Sequence, residues 1–282
     1  MSEDWHTHNK LCRHAEGNIE DYIREAITKG LDTIGISDHF PYEFYRNFER
    51  IPYQEYSMTL GEIYNYINTI EKLREKYKGK IIVRIAFEID YILNQVDILN
   101  SNLKEIQNRL DYILGSLHVL YSDLGPWCFD DSRFLKEFDR YESIDNIYLE
   151  YYNLQLKMIE DKNFDYDIVS HLDLPKKFGK IPENKEKIQN KVWQVLESIK
   201  RRNLVVEINT GGFRKEIGQQ YPSIEIIEKM HELDIPILLG SDAHNPKEVG
   251  YRFNSMIKIL KEIGYSQLAH FENRERTFMD IN

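Results

Sequence analysis

The chain has 282 residues, 41% of them hydrophobic and 30% charged, which suits a water-soluble globular protein of one large domain or two small ones. Its formal net charge of −10 argues against a general nucleic-acid partner, which would want a basic face, but not against phosphate, because bound cations reverse a local field. Two cysteines (Cys12 and Cys128) build no disulfide framework, no run approaches the roughly 18 apolar residues of a spanning helix, and the start MSEDWH is no signal peptide, so the expectation is a cytoplasmic chain without a membrane partner.

The first element is a short strand at "DWHTH", residues 4–8. "NIEDYIREAITKG" then carries Ile19, Tyr22, Ile23, Ala26 and Ile27 on one helical face, with Asn18 as cap, Asp21 three residues on and Gly30 at the end. "DTIGIS" is a strand. A helix near 57–77 leads to the strand "KIIVRIAFEI", and one near 94–109 to "DYILGS". Helices near 132–140 and 145–162 precede "DYDIVS", one near 184–202 precedes "LVVEIN", and one near 223–234 precedes "IPILLG". A last helix covers about 247–263, and the tail 264–282 is free to lie on the body or on a partner. No linker, repeat or low-complexity segment interrupts the series, so residues 1–282 read as a single domain. Seven strands separated by helices predict an α/β fold with a parallel sheet, closed as a distorted (β/α)7 TIM-like barrel. An open doubly wound sheet is the alternative, but no Gly-rich dinucleotide turn is present.

Polar residues gather at the predicted strand ends. In order these are His6-Thr7-His8, Ser37-Asp38-His39, Glu88 with Asp90, Ser116-Leu117-His118, Ser170-His171, Glu207 with Asn209, and Ser241-Asp242-Ala243-His244. In β/α barrels this C-terminal face builds the active site, so these side chains would converge. Residues i and i+2 of a strand share a side, which lets His6 and His8, or Asp242 and His244, serve one cluster. Each motif alone has an ordinary reading: a core histidine bonded to a carbonyl, or a helix cap in "SDAH". Seven of the nine histidines at or just after strand ends favour a metal site instead. Imidazoles with a few carboxylates suit zinc, iron or manganese better than calcium or magnesium. Glu88 could bridge two cations, and paired cations are equipment for hydrolysing a phosphate ester. His231 and His270 lie outside the cluster and read as surface or structural.

Taken together, the segments "HTHNKLCRHAEGNIEDYIREAITKGLDTIGISDHFP", "FEIDYI", "GSLHVL", "SHLDL", "EINTGGFRKE" with "YPS", and "GSDAHNPKEVG" resemble the PHP (polymerase and histidinol phosphatase) superfamily, closest to its monofunctional histidinol-phosphate phosphatases. They span residues 6–250. HxH is generic to the superfamily, whereas "INTGGFRK…YPS" and the "CRH" loop are specific to the phosphatase branch. The resemblance implies three metal ions. His6 and His8 would hold the first with Glu88 and Asp242; Glu88 would bridge to a second held by His118 and His171; His14, His39 and His244 would hold a third. Cys12 would then be a packed loop residue. The chain departs from the family in reading Ser37-Asp38-His39 where "TEH" is common, and in Phe87 before Glu88 where a small residue is expected; neither removes a ligand.

The implied activity is metal-dependent hydrolysis of L-histidinol phosphate to L-histidinol and phosphate in histidine biosynthesis, a small-molecule monoester reaction. A hydroxide between two metals would attack phosphorus in line while the ions neutralise the phosphoryl oxygens. Asp242 and His39 are the candidate catalytic side chains; a metal-bound water is the other candidate for protonating the leaving alkoxide. Arg214 is the expected phosphate clamp, because a guanidinium can make two parallel hydrogen bonds to phosphate, with Lys176 and Lys177 as further substrate-binding candidates. The aromatic, charged segments 40–57 and 121–131 are candidates for substrate recognition or ordinary packed loops. Two alternatives stand beside this reading: a phosphoesterase of the same superfamily acting on nucleotides or other esters, and a barrel that binds metal and phosphate without catalysis.

Overall fold

Period-two patterning lays out the barrel, and the third strand shows it most fully. A computed structural model describes residues 2–43 and 50–281 of the chain. The first strands are β1 (Glu3–Asp4), β2 (Thr33–Ile36), β3 (Ile82–Asp90) and β4 (Tyr112–Ser116), side by side and parallel. An antiparallel hairpin, β5 (Val119–Ser122) and β6 (Gly125–Cys128), interrupts them. The sheet then continues with β7 (Ile168–Val169), β8 (Val205–Asn209) and β9 (Ile237–Gly240), giving the seven-stranded order β1-β2-β3-β4-β7-β8-β9. The loops that follow β1 and β9 close the ring: Trp5 N donates to Leu239 O at 3.0 Å, Asp242 N to His6 O at 2.8 Å, and His8 N to Ala243 O at 2.9 Å. The open-sheet alternative is thereby excluded.

Along β3, Val83, Ile85, Phe87 and Ile89 belong to the large core beneath the helices, while Ala86 belongs to the core inside the barrel and Glu88 and Asp90 stand above it. In β8 the outer pair is Val206 and Ile208, and Val205, Glu207 and Asn209 alternate with it. Alternation on a closed sheet thus puts apolar residues low inside the barrel and acids at its upper end. The interior is filled by Trp5, Ala86, Tyr112, Leu114, Ile168, Val205 and Leu238, so it is a packed core and not a channel.

Helices α1 (Ile19–Thr28), α2 (Ile63–Lys76), α3 (Val96–Leu103), α4 (Ile144–Glu160), α5 (Lys185–Arg202), α6 (Ile224–Glu232) and α7 (Phe253–Ile263) follow their predicted segments. In α1 the Asn18–Asp21 capping box forms, and Gly30 takes the left-handed conformation beyond the helix. Elsewhere the structure departs from the pattern. Residues 132–140 form a 3-10 helix, and the stretch 94–109 splits into α3 and a 3-10 turn at Gln107–Arg109. The aromatic segment at 121–131 is largely the hairpin β5–β6.

The tail is a second antiparallel hairpin, β10 (Gln267–Glu272) and β11 (Glu275–Asp280). Asn273 and Arg274 at its turn both have positive φ, as the tightest hairpin turns require. Ala269 and Phe271 of β10 join the barrel's inner core, closing its lower end. The tail therefore lies on the body of the same chain.

Candidate metal centre

All nine expected donors converge at the upper barrel end. Five sets among the described residues have donor atoms within 4.8 Å of one another, and three of them match the expected division: His6, His8 and Glu88; Glu88, His118 and His171; and His14, His39 and His244; another joins His39 and His118 through Asp90. Asp242 completes the first, its Oδ1 lying 3.2 Å from His8 Nε2 and 3.9 Å from His6 Nε2. Glu88 stands between two sets. Its Oε2 lies 3.3 Å from His6 Nε2 and 3.5 Å from His8 Nε2, and its Oε1 lies 2.7 Å from His171 Nε2 and 3.7 Å from His118 Nε2. Cys12, buried in the loop between His8 and His14, also comes within 4.8 Å of the donor atoms of His8 and His244.

The proton inventory tests whether a cation fits. Carbonyl oxygens only accept hydrogen bonds. His14 Nδ1 sits 2.9 Å from Cys12 O, and His244 Nδ1 sits 3.0 Å from Asp242 O, so both Nδ1 atoms carry the proton. Their Nε2 atoms, 3.1 Å apart, are therefore bare in the neutral rings. In His6 and His8 the Nδ1 atoms are likewise engaged, by Glu207 at 2.7 Å and Asp38 at 3.4 Å. There burial is outweighed by the facing carboxylates: Glu207, Glu88 and Asp242 raise His6, and Asp242 and Asp38 raise His8 to about 9, so in the ion-free site a proton occupies the place a metal ion would take. Their Nε2 atoms lie 3.0 Å apart. Two lone pairs that close repel unless a proton or a metal ion lies between them, and a metal ion replacing those protons would fill the point where several such nitrogens converge with Glu88 and Asp242. The donor set thus fits divalent metal, and these four rings are each oriented by a partner on the far nitrogen, as metal-ligating histidines usually are. His118 follows suit, with Nδ1 donating to Asp90 at 2.9 Å, whereas Nδ1 of His39 and of His171 is buried without a hydrogen-bond partner among the described residues.

Charge agrees. Burial alone would raise Glu88, yet the His39, His6 and His118 imidazoles hold it well below the usual carboxylate range. Burial likewise opposes ionisation of Asp242, and His6, His8 and His244 hold it well below as well. Among the imidazoles, burial pushes His39 and His244 well below the normal range, whereas the carboxylates facing His6, His8 and His118 overcome burial and raise them, His8 to about 9 and His118 to about 10, so the positive charge that holds Glu88 and Asp242 ionised sits chiefly on those three.

The local backbone explains the placement. Asp242 has φ of 53°, a left-handed conformation that few non-glycine residues adopt. It is held there by the bond from its N–H to His6 and by Arg214, whose Nη2 donates to Ser241 O at 2.9 Å and Asp242 O at 2.8 Å. Gly240 has no side chain because Glu207 and the His6 Cβ occupy the space one would need. Glu207 itself reaches His6 Nδ1 with one oxygen and takes the His171 N–H, at 2.8 Å, with the other.

A cavity of about 600 Å³ opens over the cluster, and His14, His39, Glu88, His118, His171, Asp242 and His244 floor it. Of the expected substrate contacts, Lys177 lines the cavity, its Nζ donating to Asp130 O at 2.6 Å and lying 3.0 Å from Asp130 Oδ2. Arg214 and Lys176 do not line it. Arg214 gives Nη2 to the Ser241 and Asp242 carbonyls and has Nε 3.3 Å from Glu248, while its buried Nη1 has no hydrogen-bond partner among the described residues; Lys176 is buried against Asp173 at 2.9 Å. Arg214 thus braces the Asp242 loop through Nη2, outside the residues that line the cavity. Asp130 and Asp131, in the segment 121–131 offered as a candidate for substrate recognition, also line the cavity, and so do Arg133 and Lys215, which the sequence reading did not single out. The acidic pair in "WCFDD", just past the strand end at His118, was the available signal for the two aspartates. Tyr42, Ile51 and Tyr56 of the segment 40–57 also line the cavity, while its residues 44–49 lie outside the described ones.

A seven-stranded β/α barrel with imidazoles and carboxylates converging at its strand ends defines a class of barrels built to hold divalent ions. The PHP domain family matches residues 4–211, and the chain belongs to that family. A Deinococcus radiodurans protein named Probable histidinol-phosphatase is 30% identical over 261 residues, 93% of each chain. The Histidinol-phosphatase of Bacillus subtilis is 28% identical, covering 92% of this chain and 99% of its own. The histidinol phosphate phosphatase of Lactococcus lactis shares the fold at a TM-score of 0.78 and 21% identity, over 98% of both chains. Among the described residues, no helix is long and apolar enough to cross a membrane.

Proposed function

We propose that the chain is a histidinol-phosphate phosphatase, releasing L-histidinol and inorganic phosphate from L-histidinol phosphate in cytoplasmic histidine biosynthesis, on a single barrel domain. The observation that supports the hydrolytic site is the convergence of imidazole nitrogens, 3.0 Å apart in His6–His8 and 3.1 Å in His14–His244, around the Glu88 and Asp242 carboxylates. The substrate rests on the relatives named for this activity, which align along nearly their whole length. The Lactococcus protein of the same fold was crystallised with zinc, L-histidinol and phosphate.

In this reading His6, His8, Glu88 and Asp242 hold one ion, Glu88, His118 and His171 a second, and His14, His39 and His244 a third. Zinc suits the donors, as do iron and manganese. Bound ions supply a water of lowered pKa and neutralise charge on the phosphoryl oxygens. The protein's own part is orientation. Glu207, Asp38 and Asp90 fix three imidazoles, the Cys12 and Asp242 carbonyls fix two more, and Ser116 donates to Glu88 Oε1 at 2.6 Å. Against burial, His6, His8 and His244 hold Asp242 well below the usual carboxylate range, which suits it to serve as a ligand and hydrogen-bond acceptor, with His39 the other candidate catalytic side chain.

The test is phosphate release from L-histidinol phosphate beside a nucleoside monophosphate and an aryl phosphate. Each is run with native metal, after chelation, and with zinc or manganese restored. A metal-dependent preference for L-histidinol phosphate is the expected result. Equal, slow turnover of all three would remove the substrate assignment, and no turnover at full metal loading would leave a binding barrel.

A further inference from the structure

The cations on the cavity wall differ in what already neutralises them. Arg133 is bound to Asp131 at 2.7 Å and to Glu55 at 2.6 Å. Lys177 is bound to Asp130. Lys215 lines the same cavity, and its ammonium makes no hydrogen bond or ion pair among the described residues. Its backbone is nevertheless fixed. Lys215 follows the 3-10 turn Gly211–Arg214, its N–H donates to Gly212 O at 3.1 Å, and its neighbour Arg214 is anchored on the Ser241 and Asp242 carbonyls. An unpaired ammonium on a braced stem beside the Asp242 loop is what an incoming anion would find.

We propose that Lys215 is the cavity's ligand-facing cation, and that it contacts a phosphoryl oxygen of the bound monoester and of the product phosphate. This rests on the phosphatase reading above for the identity of the anion. A lysine suits the position because a flexible, compact ammonium can follow a phosphoryl group between substrate and product, where a bidentate guanidinium would favour one geometry. The paired Lys177 then shapes the wall with Asp130, and Arg214 holds the metal-site loop. The three basic residues take three different tasks, which their sequence proximity to the "NTGG" and "SHLDLP" segments does not distinguish.

The experiment compares Lys215→Met and Lys215→Arg with the parent protein, each loaded with zinc. The readouts are kcat and KM for L-histidinol phosphate and for an aryl phosphate, the inhibition constant of inorganic phosphate, and bound zinc. K215M is expected to raise both KM values and the phosphate inhibition constant by about tenfold to a hundredfold, the weight of one charge-assisted contact, with zinc content unchanged. K215R is expected to recover most of that loss. Unchanged KM and inhibition constants in K215M would overturn the proposal. So would a loss confined to L-histidinol phosphate, which would place Lys215 on the alcohol portion. If the parent cleaves only the aryl phosphate, the substrate assignment fails while the inhibition constants still decide Lys215. If it cleaves neither, calorimetric titration of inorganic phosphate into the zinc-loaded parent and K215M decides it.

Discussion

At the scale of single residues, the donors and the groups that aim them behave differently under mutation. His8 has one nitrogen on Asp38 and the other in the cluster, so His8→Ala removes a proposed ligand outright. Turnover is expected to vanish and bound zinc to fall, read by metal analysis of the purified variant; full activity would sink the ligand assignment. Glu207 touches no expected ion and instead holds His6 Nδ1 and the His171 N–H. Removing such a partner typically weakens metal binding about 10–100-fold, so Glu207→Ala should do so while the fold persists, as chelator competition would measure. Eight of the nine expected donors were legible in the sequence because each is a His, Asp or Glu at or just after a strand end; His14, in the loop after β1, was offered only by the family resemblance. The partners Glu207, Asp90 and Asp38 were visible as polar residues but carried no role, because which far nitrogen each one meets depends on strands distant in sequence. Arg214 shows the converse: its motif pointed to phosphate, and its geometry points to a backbone loop.

At the scale of elements, period and capping did most of the work. The Asn18–Asp21 box was read from spacing alone and forms. Asn18→Ala should cost about 1 kcal/mol, seen as a lower denaturation midpoint with unchanged slope. Gly240 is an element-level constraint that periodicity does not reveal, since only the packed barrel shows Glu207 and His6 filling its side-chain space. Gly240→Ala should displace those two side chains and lower metal content more than it lowers helix content by circular dichroism. The two hairpins were missed for related reasons. In β5–β6 the aromatic-rich text resembled a recognition loop, and in β10–β11 the apolar residues are few, with β11 mostly exposed. What stabilises β10 is the barrel floor it covers. Phe271 is 3% exposed there, so Phe271→Ala should cost about 3–5 kcal/mol in denaturant unfolding without altering the zinc stoichiometry of the folded fraction.

At the scale of the whole molecule, ion binding and folding are linked, because an unfolded chain offers no assembled site. Chelation should lower the melting temperature, and restoring zinc should raise it again; a ligand at a thousand times its Kd adds about 4 kcal/mol. The pH dependence has a definite sign. Ions require unprotonated imidazoles, and in the ion-free site the facing carboxylates raise His6, His8 (to about 9) and His118 (to about 10), so protons already compete at neutral pH and the zinc-dependent part of the melting temperature should shrink steadily from about pH 9 to about pH 5. A zinc effect that grew toward low pH would contradict imidazole ligation.

The sequence by itself determined the alternation of strands and helices, the apolar face of each, and the identities of the polar residues at the strand ends. These are local quantities, set by backbone periods of 2 and 3.6 and by the residue at each position. Tertiary structure decided the rest: that the loops after β1 and β9 meet and close the ring, that the tail seals its floor, and that Arg214 braces a loop while Lys215 faces the cavity. Those outcomes depend on contacts between residues far apart in the chain. Only the closed barrel brings His6 to Glu207 and His14 to His244, and only there do bare nitrogens 3.1 Å apart reveal a place for a cation.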